Sequence, residues 1–247
     1  MAPRVIAIIP SRFSSQRLPG KPLLPMAGKP MIQHVYERAI RARLDDVIVA
    51  TDDERIQAAV QGFGGRVVMT RTDHLSGTDR VAEAALGLDA DFIVNIQGDE
   101  PLLDPEAINQ AVTPFLTDDR LVMSTLAHRI TQPAEIMDPN VVKVVCNAQG
   151  FALYFSRAPI PWARYEDHGP PGAWRHIGLY VFGKDFLALF AALPPTPLEK
   201  REGLEQLRAL EHGYPIRVVP SNAGALGVDT RADYEKVRCI LEQGEQS

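Results

Sequence analysis

One short run of this sequence places three cations together with no carboxylate among them: Ser11-Arg12-Phe-Ser-Ser-Gln-Arg17-Leu-Pro-Gly-Lys21-Pro22. Arginine offers forked donors to phosphate oxygens and lysine a mobile point charge, so the run suits a triphosphate. Chemistry at an α-phosphate needs such cations, because negative charge must be stabilised on the departing pyrophosphate. The bias covers the whole opening segment. Arg4, Arg12, Arg17, Lys21 and Lys29 all precede the first acid, Glu37, in a chain whose formal net charge is −5. The competing reading is a surface loop that its prolines merely shape.

Two carboxylates stand out as candidate metal ligands. Asp99 lies in Val94-Asn-Ile-Gln-Gly-Asp99-Glu-Pro, directly after an apolar run. An aspartate at a strand tip can hold magnesium, which takes one or two carboxylates and completes its shell with phosphate oxygens. Asp229 sits far downstream in the glycine-rich Gly224-Ala-Leu-Gly-Val-Asp229-Thr. Taken alone, Asp229 also fits an ordinary helix cap. Several common signatures are missing. No Gly-x-Gly-x-x-Gly follows the first apolar run, and no Gly-Lys pair is followed by Ser or Thr. The first absence argues against a dinucleotide cofactor, and the second means that no Gly-Lys pair is a Walker-type phosphate loop.

The elements that must position these residues alternate. Residues 5–10 read as a buried strand closed by proline, and 11–28, rich in Pro, Gly and Ser, as a loop. A helix follows over 31–44, with Ile32, Val35, Tyr36, Ala39 and Ile40 on one face. Strand 47–50 leads through the cap Thr51-Asp-Asp53 into a helix ending near Gly62. Strand 66–69, helix 77–88, strand 92–96 and helix 105–115, capped by Asp104, complete the series. Such βαβ alternation implies a largely parallel sheet whose ligands sit beyond the carboxyl ends of the strands.

The middle of the chain differs. Residues 121–127, 141–145 and 151–156 are strand-like, with a hairpin turn at Asn147-Ala-Gln-Gly150. Residues 165–174 are polar and expected to be mobile, 176–182 returns as a strand, and the remainder is mainly helical. Helix 198–212, strand 216–219 and helix 232–243 are expected there. The economical reading is one α/β domain, residues 1–247, with a strand-rich antiparallel insertion at about 120–183.

A net charge of −5 argues against nucleic acid or an anionic membrane as partner. No apolar run is long enough to span a bilayer, and the opening run lacks a signal-peptide cleavage site. Cys146 and Cys239 have no metal-ligand spacing. A cytoplasmic protein with reduced thiols is expected.

Further blocks sharpen the picture. Pro10-Ser-Arg12-x-x-Ser-x-Arg17-Leu-Pro-Gly-Lys21-Pro-Leu is followed by Met69-Thr-Arg71-Thr-Asp-His-x-Ser76-Gly77-Thr and Asn95-Ile-Gln97-Gly-Asp99-Glu-Pro. Then come Asn140-Val-Val-Lys143-Val-Val, Ala152-Leu-Tyr-Phe-Ser-Arg157-Ala-x-Ile-Pro-Trp162 and Arg175-His176-x-Gly-x-Tyr180. Leu204-Glu-Gln-Leu-Arg208 and Gly227-Val-Asp229-Thr close the set. In this order, over nearly the whole chain, the blocks resemble the 3-deoxy-manno-octulosonate (Kdo) cytidylyltransferases. Each block alone has modest specificity; together they are highly specific.

The resemblance implies a Rossmann-like nucleotidyltransferase fold, a mostly parallel mixed sheet flanked by helices. It implies transfer of CMP from CTP to the anomeric hydroxyl of Kdo, an acidic sugar, with release of pyrophosphate, for lipopolysaccharide synthesis. By similarity Arg12, Arg17 and Lys21 hold the triphosphate, and Arg71, Ser76, Gly77 and Gln97 help seat the nucleoside. Asp99 and Asp229 bind Mg2+, with a second ion able to bridge CTP and sugar. Arg12, Lys21, Asp99 and Asp229 form the catalytic set. Arg157, Arg164, His176, Tyr180, Glu205 and Gln206 match sugar-binding positions. Family members are homodimers, the insertion contributing to the interface. Residues 163–173 look shorter than usual. Rival readings are another acid sugar (sialic acid or an amino-substituted Kdo) and a non-catalytic nucleotide-binding protein on the same fold.

Overall fold

The computed structural model describes residues 2–14, 18–162, 164, 172–222 and 227–244. The chain forms two compact units, one of Met1–Asn109 with Gly224–Ser247 and one of Gln110–Ala223.

The first unit opens with β1 (Val5–Ser11), whose Ile6, Ala7, Ile8 and Ile9 are buried. A short hairpin, β2 (Pro25–Met26) and β3 (Lys29–Pro30), leads into α1 (Met31–Ala39). Next come β4 (Asp46–Thr51), α2 (Glu54–Gly62), β5 (Arg66–Met69), α3 (Gly77–Ala85) and β6 (Phe92–Asn95). The strands run parallel in the order β6-β1-β4-β5. Burial on both faces explains why β1 and β4 read as continuous apolar runs rather than alternating ones. The chain crosses between units within α4 (Pro105–Val112), whose entry is capped by Asp104 Oδ1 accepting the Glu106 N–H at 2.9 Å.

The second unit contains β7 (Met123–Arg129), α5 (Pro133–Met137), β8 (Lys143–Cys146), β9 (Ala152–Ser156) and β10 (Trp174–Gly183). It continues with α6 (Lys184–Ala192), α7 (Pro197–Glu202), α8 (Leu207–Glu211) and β11 (Arg217–Pro220). β7 pairs antiparallel with β10 and parallel with β11, while β8 joins β9 and β10 in antiparallel pairs. The turn between β8 and β9 falls at the expected position, with Gly150 at φ 79°. The chain then returns to the first unit as α9 (Arg231–Gly244), whose Tyr234 and Val237 pack with Met26, Met31 and Val228.

Several expected boundaries move. The helix expected over 31–44 stops at Ala39, where bonds tighten to Arg41 N–Arg38 O and Ala42 N–Ala39 O; Ile40, expected on the buried face, is 54% exposed. The helix expected over 77–88 ends at Ala85, and that over 105–115 passes at Thr113–Leu116 into a 3-10 turn containing Pro114. The helix expected over 198–212 is two helices, because Gly203 takes a left-handed φ of 63° and ends α7. Residues 11–28 are not loop throughout: Lys21–Leu23 forms a 3-10 turn and β2 follows. The expected mobility of 165–171 concerns positions outside the described residues.

Candidate active site

β1 and β6 both end at a cleft of about 670 Å³ lined by Arg12, Lys21, Gly77, Gln97, Asp99 and Asp229. All six belong to the first unit. Parallel neighbours finish at the same edge, so the segments after Ser11 and Asn95 emerge side by side. Ile96 N bonds Ile8 O at 3.1 Å, extending the pairing to the cleft floor. Gly98 then passes so close to β1 that a Cβ there would stand 2.9 Å from the Pro10 carbonyl oxygen. Ser11 Oγ is buried beside the cleft and has no hydrogen-bond partner among the described residues. An orphaned hydroxyl at a strand tip suits a ligand that brings its own acceptor.

The cationic loop is anchored at both described ends. Gly20 N bonds Phe13 O at 3.1 Å, and Gly20 takes φ 67°, a left-handed turn open to glycine. A Cβ on Gly20 would also stand 3.1 Å from the Phe13 ring. The Arg55 guanidinium lies 3.3 Å from that ring's centroid while pairing with Asp53 at the start of α2. Arg12 is exposed and lines the cleft. Arg17 lies outside the described residues.

Lys21 Nζ donates to Asp99 Oδ2 at 2.6 Å and to Val228 O at 2.8 Å, and stands 3.5 Å from Asp229 Oδ1. The two aspartates meet because Val228 N bonds Asp99 O at 2.9 Å. Asp229 is not the cap of α9. Thr230 Oγ1 accepts the Asp233 N–H and Asp233 Oδ2 accepts the Thr230 N–H, so Thr230 and Asp233 cap the helix reciprocally. The Asp229 carboxylate therefore faces Lys21, the arrangement a cation-binding pair requires.

Residues assigned to the nucleoside divide. Gly77 and Gln97 line the cleft. Ser76 spends its hydroxyl on the Asp79 N–H in a capping box that starts α3. The Arg71 guanidinium is turned to Asp73 and Glu83, at 3.4 and 3.6 Å. Arg80 lines the cleft although sequence reasoning did not single it out. It is 4% exposed and held by Asp52 Oδ2 at 2.8 Å and by Thr70. An arginine directly after the Ser76-x-x-Asp79 capping box was the only available signal.

The residues matched to sugar binding all lie in the second unit. A bulge in β10 between Ile177 and Tyr180 sets His176 and Tyr180 together, ring centroids 5.4 Å apart, with Phe155 on the other side of His176 at 5.1 Å. His176 Nε2 lies 3.0 Å from Thr125 Oγ1. Burial pushes the imidazole down to about 3 and the Tyr180 phenol well above its ordinary range, with the Glu205 carboxylate adding to the latter. Glu205 stands 3.8 Å from the Arg208 guanidinium. Gln206 is 4% exposed, and its Nε2 has no hydrogen-bond partner among the described residues. Arg157 is engaged with main chain: Nε donates to Glu202 O at 2.7 Å, and its terminal nitrogens to Pro139 O and Gly203 O. Arg164 is exposed.

His176 carries a stability prediction. Its folded value lies below the unfolded one near 6.5, so the unfolded chain binds a proton that the folded chain refuses. Its contribution is complete above pH 6.5 and is lost as pH falls towards 3. Relative to His176→Gln, which cannot protonate, the wild type will lose about 2 kcal/mol between pH 6.5 and 5. Urea unfolding of both proteins at each pH measures this; parallel curves would refute it.

Comparison with known proteins adds a second line. Residues 6–217 match the family model described as cytidylyltransferase. The 3-deoxy-manno-octulosonate cytidylyltransferase of Solibacter usitatus is 55% identical, covering 98% of this chain and 96% of that relative. The enzyme of the same description from Trichlorobacter lovleyi is 52% identical over 98% of this chain and all of its own. A solved structure of CMP:2-keto-3-deoxy-manno-octonic acid synthetase complexed with CTP superposes with a TM-score of 0.93 at 45% identity, covering 98% of this chain and 99% of that one. Among the described residues no helix is long and apolar enough to cross a membrane.

Proposed function

The chain belongs to the cytidylyltransferase family and, within it, to the 3-deoxy-manno-octulosonate cytidylyltransferases; from that premise we propose how its residues carry out the transfer. The enzyme moves CMP from CTP to the anomeric hydroxyl of Kdo and releases pyrophosphate. The observation that carries the mechanism is the meeting of Lys21, Asp99 and Asp229 in a cleft that Arg12 also lines.

Arg12 and Lys21, joined by Arg17, bind the triphosphate and stabilise the charge that gathers on pyrophosphate as it leaves. Gln97 and Gly77, with Arg71 and Ser76, seat the nucleoside; the capping bond of Ser76 fixes the start of α3 beside Gly77. Asp99 and Asp229 would hold a divalent ion. Their fit is supported by the ammonium that already occupies the space before both carboxylates, and an all-oxygen pair matches magnesium. Such an ion supplies phosphate neutralisation and a lower pKa for the attacking hydroxyl. Attack is in line on the α-phosphorus, so no side chain here needs to act as a covalent nucleophile.

For the sugar, Gln206 offers a buried amide donor with no acceptor among the described residues, which suits a sugar hydroxyl. His176 stays neutral at physiological pH and, with Tyr180 and Glu205, presents neutral and acceptor groups to the polyol. Arg157 and Arg164 serve the sugar carboxylate, Arg157 trading one of its carbonyl partners for it. The same reading makes the protein a cytoplasmic homodimer serving lipopolysaccharide synthesis. The exposed Leu153 and Trp162, at 62% and 80%, support an interface on the strand-rich segment.

Pyrophosphate release tests the reading directly, with magnesium, each of the four nucleoside triphosphates, and Kdo, sialic acid or a hexose 1-phosphate as acceptor. Release is expected with CTP plus Kdo alone. Release with CTP and a different acid sugar would overturn the pocket assignment, and silence with every pair would overturn the catalytic one.

A further inference from the structure

The Lys21 ammonium is committed to the carboxylate pair. It donates to Asp99 at 2.6 Å and to Val228 O at 2.8 Å, with Asp229 at 3.5 Å. Its side chain is only 14% exposed, against 31% for Asp99 and 53% for Asp229. The ammonium thus fills the inner face of the position that a bound ion would share between these acids. We propose that Lys21 is the resident counter-ion of Asp99 and Asp229, and that it makes divalent-ion binding conditional on the triphosphate.

An ion approaching the nucleotide-free cleft meets a pair already half neutralised, and must also approach the ammonium itself at ion-pair distance. A triphosphate changes that balance, because it offers Lys21 more negative charge and more acceptor oxygens than two carboxylates do. The ammonium then exchanges carboxylate for phosphate, and the acids open to the ion that the nucleotide carries. The exchange needs only side-chain rotation. Lys21 N bonds Leu18 O at 3.1 Å and Leu23 N bonds Gly20 O at 2.9 Å, so the backbone on either side is already fixed. A lysine on a flexible four-carbon stem can make this move; a forked arginine bound to the same carboxylates would be held more firmly.

This inference rests on the metal assignment proposed above, and the experiment separates the two. Mn2+ affinity is measured by electron paramagnetic resonance on nucleotide-free wild type, Lys21→Gln, Lys21→Met and the double variant Lys21→Gln/Asp99→Asn. Wild type is measured again with CTP. Without nucleotide, both single variants are expected to bind Mn2+ about tenfold or more tighter than wild type, and the double variant to lose that gain. Equal affinity in wild type and both single variants, with wild type still taking up Mn2+ alongside CTP, overturns the counter-ion role and leaves the metal site standing. Failure of wild type to take up Mn2+ even with CTP removes the metal site, and the inference with it.

Discussion

Asp99→Asn will lower the rate of pyrophosphate release at saturating CTP and Kdo by about a thousandfold or more, with little change in thermal unfolding. The asymmetry follows from what Asp99 does with each of its oxygens. Its main-chain carbonyl accepts the Val228 N–H and ties the returning segment to the end of β6, and the substitution leaves that bond in place. Its side chain is partly exposed and its partner is Lys21, for which an asparagine oxygen remains an acceptor. What disappears is one negative charge at the site assigned to the ion. An amide binds magnesium poorly beside phosphate oxygens, and the cost falls on the transition state, where charge is moving onto pyrophosphate. The check is a rate measured across a magnesium titration beside a melting curve. Activity near that of the wild type would remove Asp99 from the metal site.

The parts of this site that could be read from sequence are those in which local pattern and chemistry coincide. Lys21 and Asp99 each follow a buried strand of the parallel sheet, and the rule that ligands gather at strand carboxyl ends brings them together without coordinates. Asp229 was ambiguous alone, because a Gly-rich turn before a helix looks the same whichever residue caps it. Only the bond from Val228 to Asp99, and the capping by Thr230 and Asp233, decide the matter. Arg80 was invisible for a similar reason: its partners Asp52 and Thr70 come from segments after β4 and β5.

Other misses lay in plain view. Ser76 heads a Ser-x-x-Asp capping box, a signal that its hydroxyl is spent on the helix. Gly203 interrupts the stretch taken as one helix, where the apolar spacing on either side outweighed a residue that prefers the left-handed turn. α6 was not singled out, since its exposed side carries Ala188, Leu189 and Ala192, so the face buried through Phe186, Leu187 and Phe190 gives only a weakly amphipathic signature. Arg157 matches a sugar-binding motif, yet its guanidinium also holds the end of α7 through Glu202 O and Gly203 O. A motif cannot separate those two duties.

Lys143→Met will destabilise the protein by about 3 kcal/mol, because the lysine it removes is the donor for three carbonyls at once. Lys143 is 0% exposed, and Nζ donates to Asp138 O at 2.9 Å, Val141 O at 2.6 Å and Arg157 O at 2.6 Å. Burial holds the ammonium below its usual pKa, only partly offset by Asp138. Two effects therefore compete. Methionine relieves the desolvation of a charge, which in an ion pair replaced as a unit can be neutral or stabilising. Here only the donor is replaced, and the three carbonyls stay where the segment between α5 and β8 and the residue after β9 put them. Each unsatisfied acceptor costs about 1–3 kcal/mol, less whatever water regains, and the relief does not cover all three. The loss falls on the segment that also sets Arg157 and Glu202, so the sugar's KM should rise while that of CTP stays near wild type. Urea unfolding with an unchanged slope and a lower midpoint is the expected signature. A variant as stable as the wild type would mean that the carbonyls find other donors, and that the ammonium is dispensable to the fold.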